Sequence, residues 1–143
     1  MMAGKKLTCF KCAQLNRVPF VKLSDGPKCG SCGAALMPSK AVEITPAILI
    51  KASASDDVPL VVDFWAPWCG PCKMMGPEFD KAATVLAGKA RLVKVNTQEH
   101  QSVSGKMRIK GIPTMIAWQN GREVKRQAGT MKMGQIVEWV PRS

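Results

Sequence analysis

Six cysteines arranged as three C-x-x-C pairs, Cys9–Cys12, Cys29–Cys32 and Cys69–Cys72, constrain this 143-residue chain more than any other feature. Such a pair can hold half a metal site, form a structural disulfide, or shuttle electrons. The compartment narrows the choice. The N-terminal "MMAGKKLTCFKC" has two lysines but no hydrophobic stretch behind them, so no secretory signal is expected. The longest apolar stretch, "PLVVDFWAPW", is too short to span a bilayer and carries Asp63. The expectation is a soluble cytoplasmic protein without membrane association, and nothing requires more than a monomer. A reducing cytosol argues against three structural disulfides and for metal or redox cysteines.

The first two pairs read as C-x2-C-x16-C-x2-C. That spacing suits a four-thiolate zinc site, with Cys9, Cys12, Cys29 and Cys32 at the corners of a tetrahedron and each pair held in one tight turn. Gly30 and Gly33 suit the second turn, where the backbone comes close to sulfur. Between the pairs, "RVPFVKL" is expected to form a short strand and "SDGP" a hairpin turn. A segment of about 35 residues with so few large apolar side chains cannot support a core alone, so metal would hold it together. Residues 1–36 are therefore assigned to a zinc ribbon and 37–143 to a second domain. Net charge is +11, and residues 1–40 carry seven lysines and arginines against Asp25 alone. Without aromatic residues interleaved among the basic ones, the charge reads as a solvated, self-repelling surface rather than a nucleic-acid site.

From Ala41 a regular alternation begins. Thr45–Pro46 is a helix cap followed by proline in the first turn. "PLVVDFWA" is a near-continuous apolar run, as expected of a strand covered on both faces. In "GPCKMMGPEFDKAATVLAG" the residues Cys72, Met75, Phe79, Ala82 and Leu86 fall at helical spacing, with Gly88 as the stop and Pro77 as a kink. "ARLVKVN" is a second buried strand and "QEHQSVSGKMRI" a weaker helix. "PTMIAWQNGREVKRQAG" is a hairpin turning at Asn120–Gly121, and "MGQIVEWV" a closing helix. Strands alternating with helices, then a hairpin and a last helix, predict an α/β fold with helices on both faces of the sheet.

"VDFWAPWCGPCK", the later "GIPT", and the "NG" hairpin followed by "AG" resemble the thioredoxin family across residues 41–141. The ribbon, with "NRVP" and "GPKCGSCG", is similar to that of its zinc-bearing bacterial thioredoxin 2 branch. The resemblance implies a central mixed sheet flanked by helices, and protein-disulfide reduction by dithiol–disulfide exchange. Electrons would come from an NADPH-dependent thioredoxin reductase and pass to oxidised protein substrates. No bound organic cofactor is expected, since the chain has no dinucleotide fingerprint.

Within that reading Cys69, where strand meets helix, is the nucleophile, its thiolate favoured by the helix N-terminus. Cys72, one turn in, resolves the mixed disulfide. Gly70 and Pro71 set the turn and resemble the reducing members of the superfamily, whose oxidising relatives place histidine there. Asp63 is a buried acid that accepts the proton of Cys72, and Lys94 its partner. Pro113 corresponds to the family's cis-proline, leaving the backbone of Ile112 free to pair with substrate. Trp68, Gly111 and Gly129 complete the docking surface.

The chain departs from the family in lacking tyrosine, in Met107 before "GIPT" and in Trp118 on the following strand, which are expected to be core replacements. Trp65 is expected in the core, and His100, the single histidine, on the solvated surface. Two other readings stay open. The ribbon could bind nucleic acid or a client protein on a thioredoxin-like scaffold, or oxidants could expel its zinc and make it a redox sensor.

Overall fold

The computed structural model describes residues 4–142. Two sheets organise the chain. In the first, strand β1 (Lys5–Thr8) pairs antiparallel with β2 (Leu15–Val18). The expected strand through "RVPFVKL" stops at Val18, because Pro19 has no N–H to continue the ladder. Phe20–Lys22 instead form one turn of 3-10 helix. Leu7, Val18, Leu23 and Leu36 bury themselves with Cys9 and Cys29 in a small cluster that borrows Val58 from the rest of the chain.

The second sheet holds β3 (Val42–Glu43), β4 (Leu60–Trp65), β5 (Arg91–Asn96), β6 (Thr114–Gln119) and β7 (Arg122–Ala128), in the order β3-β5-β4-β6-β7. β3, β5 and β4 run parallel, whereas β6 and β7 are antiparallel. Helices α1 (Pro46–Ser55) and α3 (Ser102–Lys106) cover one face, and α2 (Gly70–Val85) and α4 (Met133–Trp139) the other. Strand alternation sorts the core. Val62, Phe64, Val93, Val95 and Ile116 meet Leu49, Ala52 and Val103, while Val61, Leu92, Met115 and Ala117 meet Met75, Phe79, Ala82 and Ile136. Trp118 is buried in the first of these cores, and Met107 packs against it.

Local signals account for the helix ends. The Thr45 hydroxyl accepts the Ile48 N–H as a cap, with Pro46 in the first turn. α2 runs through Pro77, whose ring lies on the solvent side, and the chain leaves α2 through Gly88 at φ +86°. A side chain at Gly88 would strike the Ser24 hydroxyl of the first sheet's loop.

The small sheet docks at the N-terminal ends of β4 and β5. The Arg91 guanidinium is wholly buried there; Nη1 donates to the carbonyls of Thr8 (2.9 Å) and Leu36 (3.1 Å), and Nη2 to the Asp56 carboxylate. Asp56 also accepts the Thr8 N–H, and Asp57 that of Lys6, both at 2.8 Å. Since β4 is six residues long, the opposite end of the sheet lies roughly 17 Å away. No helix among the described residues is long and apolar enough to cross a membrane.

Candidate functional site

β4 ends at Trp65, and the chain turns through Ala66–Trp68 into α2, so Cys69 stands where strand gives way to helix. Cys69 is the N-cap of α2, its Sγ accepting the Cys72 N–H at 3.2 Å. Gly70 and Pro71 occupy the first two helical positions; the missing proline N–H would have lacked a helical partner anyway. Cys69 and Cys72 are joined as a disulfide, with Cα atoms 5.2 Å apart. Both are nearly buried, in a small cluster with Ala66, flanked by Trp65 and Ile112.

Facing this pair is the loop before β6. The Ile112–Pro113 peptide is cis, and the Ile112 carbonyl lies 3.8 Å from Cys69 Sγ. Gly129, at φ +96°, donates its N–H to the Pro113 carbonyl (2.9 Å) and so ties the end of β7 to this loop. The Thr114 hydroxyl donates to the Gly111 carbonyl. Trp68 is 69% exposed, a large apolar ring left in solvent next to the disulfide.

Asp63 sits beneath α2. Alternation along β4 turns it to the same face as Val61, which packs on α2. It is fully buried, and neither carboxylate oxygen has a hydrogen-bond partner. Burial pushes its pKa up to about 7; Lys94 opposes the rise, and Glu43 and Asp80 add to it. Lys94 is the register partner of Asp63 on β5, and Glu43 the register partner of Lys94 on β3. The Lys94 ammonium also lies 4.8 Å over the Trp65 ring, whose indole N–H donates to Glu43. Asp63, Lys94 and Glu43 thus form a charged row across three strands. Glu43 was not singled out from sequence; its alternation with Val42 on a two-residue strand is too short a pattern to reveal a pairing.

The sign of the pH dependence follows. Between pH 4 and 7 the folded chain holds a proton that an unfolded aspartate, with a reference value of 3.8, has lost. Stability therefore falls as pH rises through that window and levels off above about 7. Asp63→Asn is expected to stabilise the oxidised protein by about 2–4 kcal/mol at pH 8 and by little near pH 4. Urea unfolding across that range reads the effect, and a pH-independent difference would contradict it.

At the other end of the molecule the four remaining cysteines converge. Their sulfurs lie within 4.8 Å of one another. Two Zn–S bonds of about 2.3 Å meeting at a tetrahedral angle put their sulfurs roughly 3.8 Å apart; Cys9–Cys32 and Cys12–Cys29 are each separated by 3.6 Å. Backbone N–H groups of Lys11 and Cys12 point at Cys9 Sγ, and that of Ser31 at Cys29 Sγ, all at 3.4 Å. These are donors suited to thiolates, so the set fits a zinc ion. His100 is half-buried beside Glu99 and takes no part in either cluster.

A C-x-x-C disulfide capping a helix on a mixed sheet, opposite a cis-proline loop, is the arrangement of a thiol–disulfide oxidoreductase. The thioredoxin family profile matches residues 42–142, and the profile described as "Thioredoxin 2, N-terminal", a zinc ribbon, matches residues 8–34. Thioredoxin C-3 of Corynebacterium nephridii is 32% identical over 94% of this chain and 92% of its own length. Thioredoxin 1 of a Nostoc species is 40% identical over 65% of this chain and 87% of its own. Among solved structures, chloroplastic thioredoxin z superposes with a TM-score of 0.64 at 33% identity, covering 69% of this chain and 89% of that one. The thioredoxin of Malassezia sympodialis gives 0.60 at 31%, covering 67% and 84%. The chain belongs to the thioredoxin family, and it carries the ribbon of the thioredoxin 2 type at its N-terminus.

Proposed function

We propose that this protein is a monomeric, cytoplasmic protein-disulfide reductase, with residues 1–36 forming a zinc ribbon and 37–143 the thioredoxin domain. The observation that carries the reading is the redox pair at the N-terminus of α2, 3.8 Å from the Ile112 carbonyl. In the reduced state the Cys69 thiolate attacks one sulfur of a substrate disulfide. A Cys69–substrate bond forms, the substrate S–S bond breaks, and the departing thiolate takes a proton. Cys72 then loses its proton to Asp63, through a water, and attacks Cys69 Sγ. The Cys69–Cys72 disulfide forms and the second substrate thiol leaves. Two electrons have passed to substrate, and an NADPH-dependent thioredoxin reductase restores them.

Gly70 and Pro71 hold the turn that lets the two sulfurs meet. Lys94 tempers the raised pKa of Asp63, which brings that group close to the range needed for accepting a proton near neutrality. Substrate lies extended along the backbone of Ile112 and Pro113, with Trp68, Gly111 and Gly129 around it. Cys9, Cys12, Cys29 and Cys32 hold Zn²⁺, which supplies no redox chemistry and organises the ribbon. The ribbon sits at the end of the sheet away from the redox pair, which favours a structural role over a share in substrate contact.

The test is NADPH oxidation coupled through a bacterial thioredoxin reductase to a disulfide-bonded protein substrate. Turnover by wild type is expected, together with accumulation of a covalent substrate adduct on Cys72→Ser that dithiothreitol releases. A folded wild type that neither turns over nor, as Cys72→Ser, captures any disulfide would overturn the reading.

A further inference from the structure

Next to the redox loop, the end of α3, the loop leading to β6 and strand β7 enclose an open cavity of about 750 Å3. Its charge is one-sided. Lys106, Arg108, Lys110 and Arg126 line it against Glu123 alone. Arg126 is already committed: Nε and Nη2 bind the Glu123 carboxylate at 2.9 Å, and Nη1 donates to the carbonyls of Met107 (2.9 Å) and Arg108 (3.0 Å). That arginine therefore clamps the loop in place. Lys106, Arg108 and Lys110 are exposed, and none makes a side-chain hydrogen bond or ion pair among the described residues. Three free cations thus stand on a pre-ordered wall.

The cavity begins one residue along the chain from the proposed substrate contact. Gly111 lines it, and the next residue, Ile112, presents the carbonyl beside Cys69. An extended segment advances about 3.3 Å per residue. A substrate paired to Ile112 and running toward Lys110 therefore enters this cavity two to four residues from its reacting cysteine. We infer that the cavity is a specificity site for carboxylates at those positions of the disulfide substrate, read by Lys106, Arg108 and Lys110. The inference rests on the proposed pairing of substrate with Ile112. Exposed charges of this kind act on encounter and discrimination more than on the chemical step.

The experiment uses two peptides of otherwise equal sequence, each with one cysteine in mixed disulfide with 2-mercaptoethanol. One carries Asp and Glu two to four residues from the cysteine on either side, the other Asn and Gln. The reduced full-length protein is expected to reduce the acidic peptide roughly tenfold faster at low ionic strength, an advantage that collapses in about 0.5 M salt. In the triple variant Lys106→Gln, Arg108→Gln, Lys110→Gln the ratio of the two rates should approach one. A second triple, Lys22→Gln, Lys40→Gln, Lys89→Gln, removes equal charge from exposed positions outside the cavity and should keep the ratio. Equal rates for both peptides with wild type, or equal erosion of the ratio by both triples, would overturn the inference, the latter assigning the preference to the diffuse field of a +11 chain. Wild type that reduces neither peptide would sink the reductase reading itself, and this site with it.

Discussion

Cys69→Ser is expected to lower disulfide turnover by at least about 10⁴-fold, the scale on which removing an attacking nucleophile acts, while the fold persists. The reason is chemical rather than steric. A serine hydroxyl stays protonated at neutral pH and cannot form the mixed disulfide on which every later step depends. Serine is also a favoured N-cap, and its Oγ can accept the Cys72 N–H that Cys69 Sγ accepts at 3.2 Å. Helix α2 should therefore keep its first turn. The coupled NADPH assay and far-ultraviolet circular dichroism, run on the same sample, separate the two effects. Residual turnover above one part in a thousand, in a protein with wild-type ellipticity, would mean that Cys72 or another thiol initiates attack.

Much of this arrangement was legible in the sequence because the signals are local. The spacing of the first two cysteine pairs, the cap and proline at Thr45–Pro46, the apolar run into Trp65 and the helical spacing from Cys72 to Leu86 each lie within about two dozen residues. The placement of Asp63 beside Lys94 came only from resemblance, since the two are brought together by the parallel register of β4 and β5. Two features had no local signature. Pro19 ends β2 where apolar residues on both sides suggested that it continue. Arg91 reads as an ordinary charged residue at a strand end, yet it is among the largest fully buried side chains. Its partners Asp56, Leu36 and Thr8 lie 35, 55 and 83 residues away in sequence. The acidic pair Asp56–Asp57 ahead of β4 meets Arg91 and the small sheet only once the chain has folded.

That buried cation carries the second large effect. Arg91→Met should destabilise the protein by about 3–5 kcal/mol, because the Asp56 carboxylate is left buried and without its counter-ion. Methionine fills much of the volume, so lost packing is a minor part of the cost. The Asp56→Asn, Arg91→Met double variant should recover a substantial share of the loss, since it removes the stranded charge as well as its partner. Arg91 also holds the carbonyls of Thr8 and Leu36, which bracket the cysteine cluster, and its guanidinium stacks 3.9 Å from the Phe10 ring between Cys9 and Cys12. The ribbon is thereby bolted to the sheet, and loosening the bolt should expose the metal. Wild type is expected to carry one zinc per chain and Arg91→Met to surrender it to a chelator several-fold faster, followed with a chromogenic indicator. Equal release rates with the full loss of stability would mean that the ribbon holds its shape through the thiolates alone, and that Arg91 serves only the domain on which the ribbon rests.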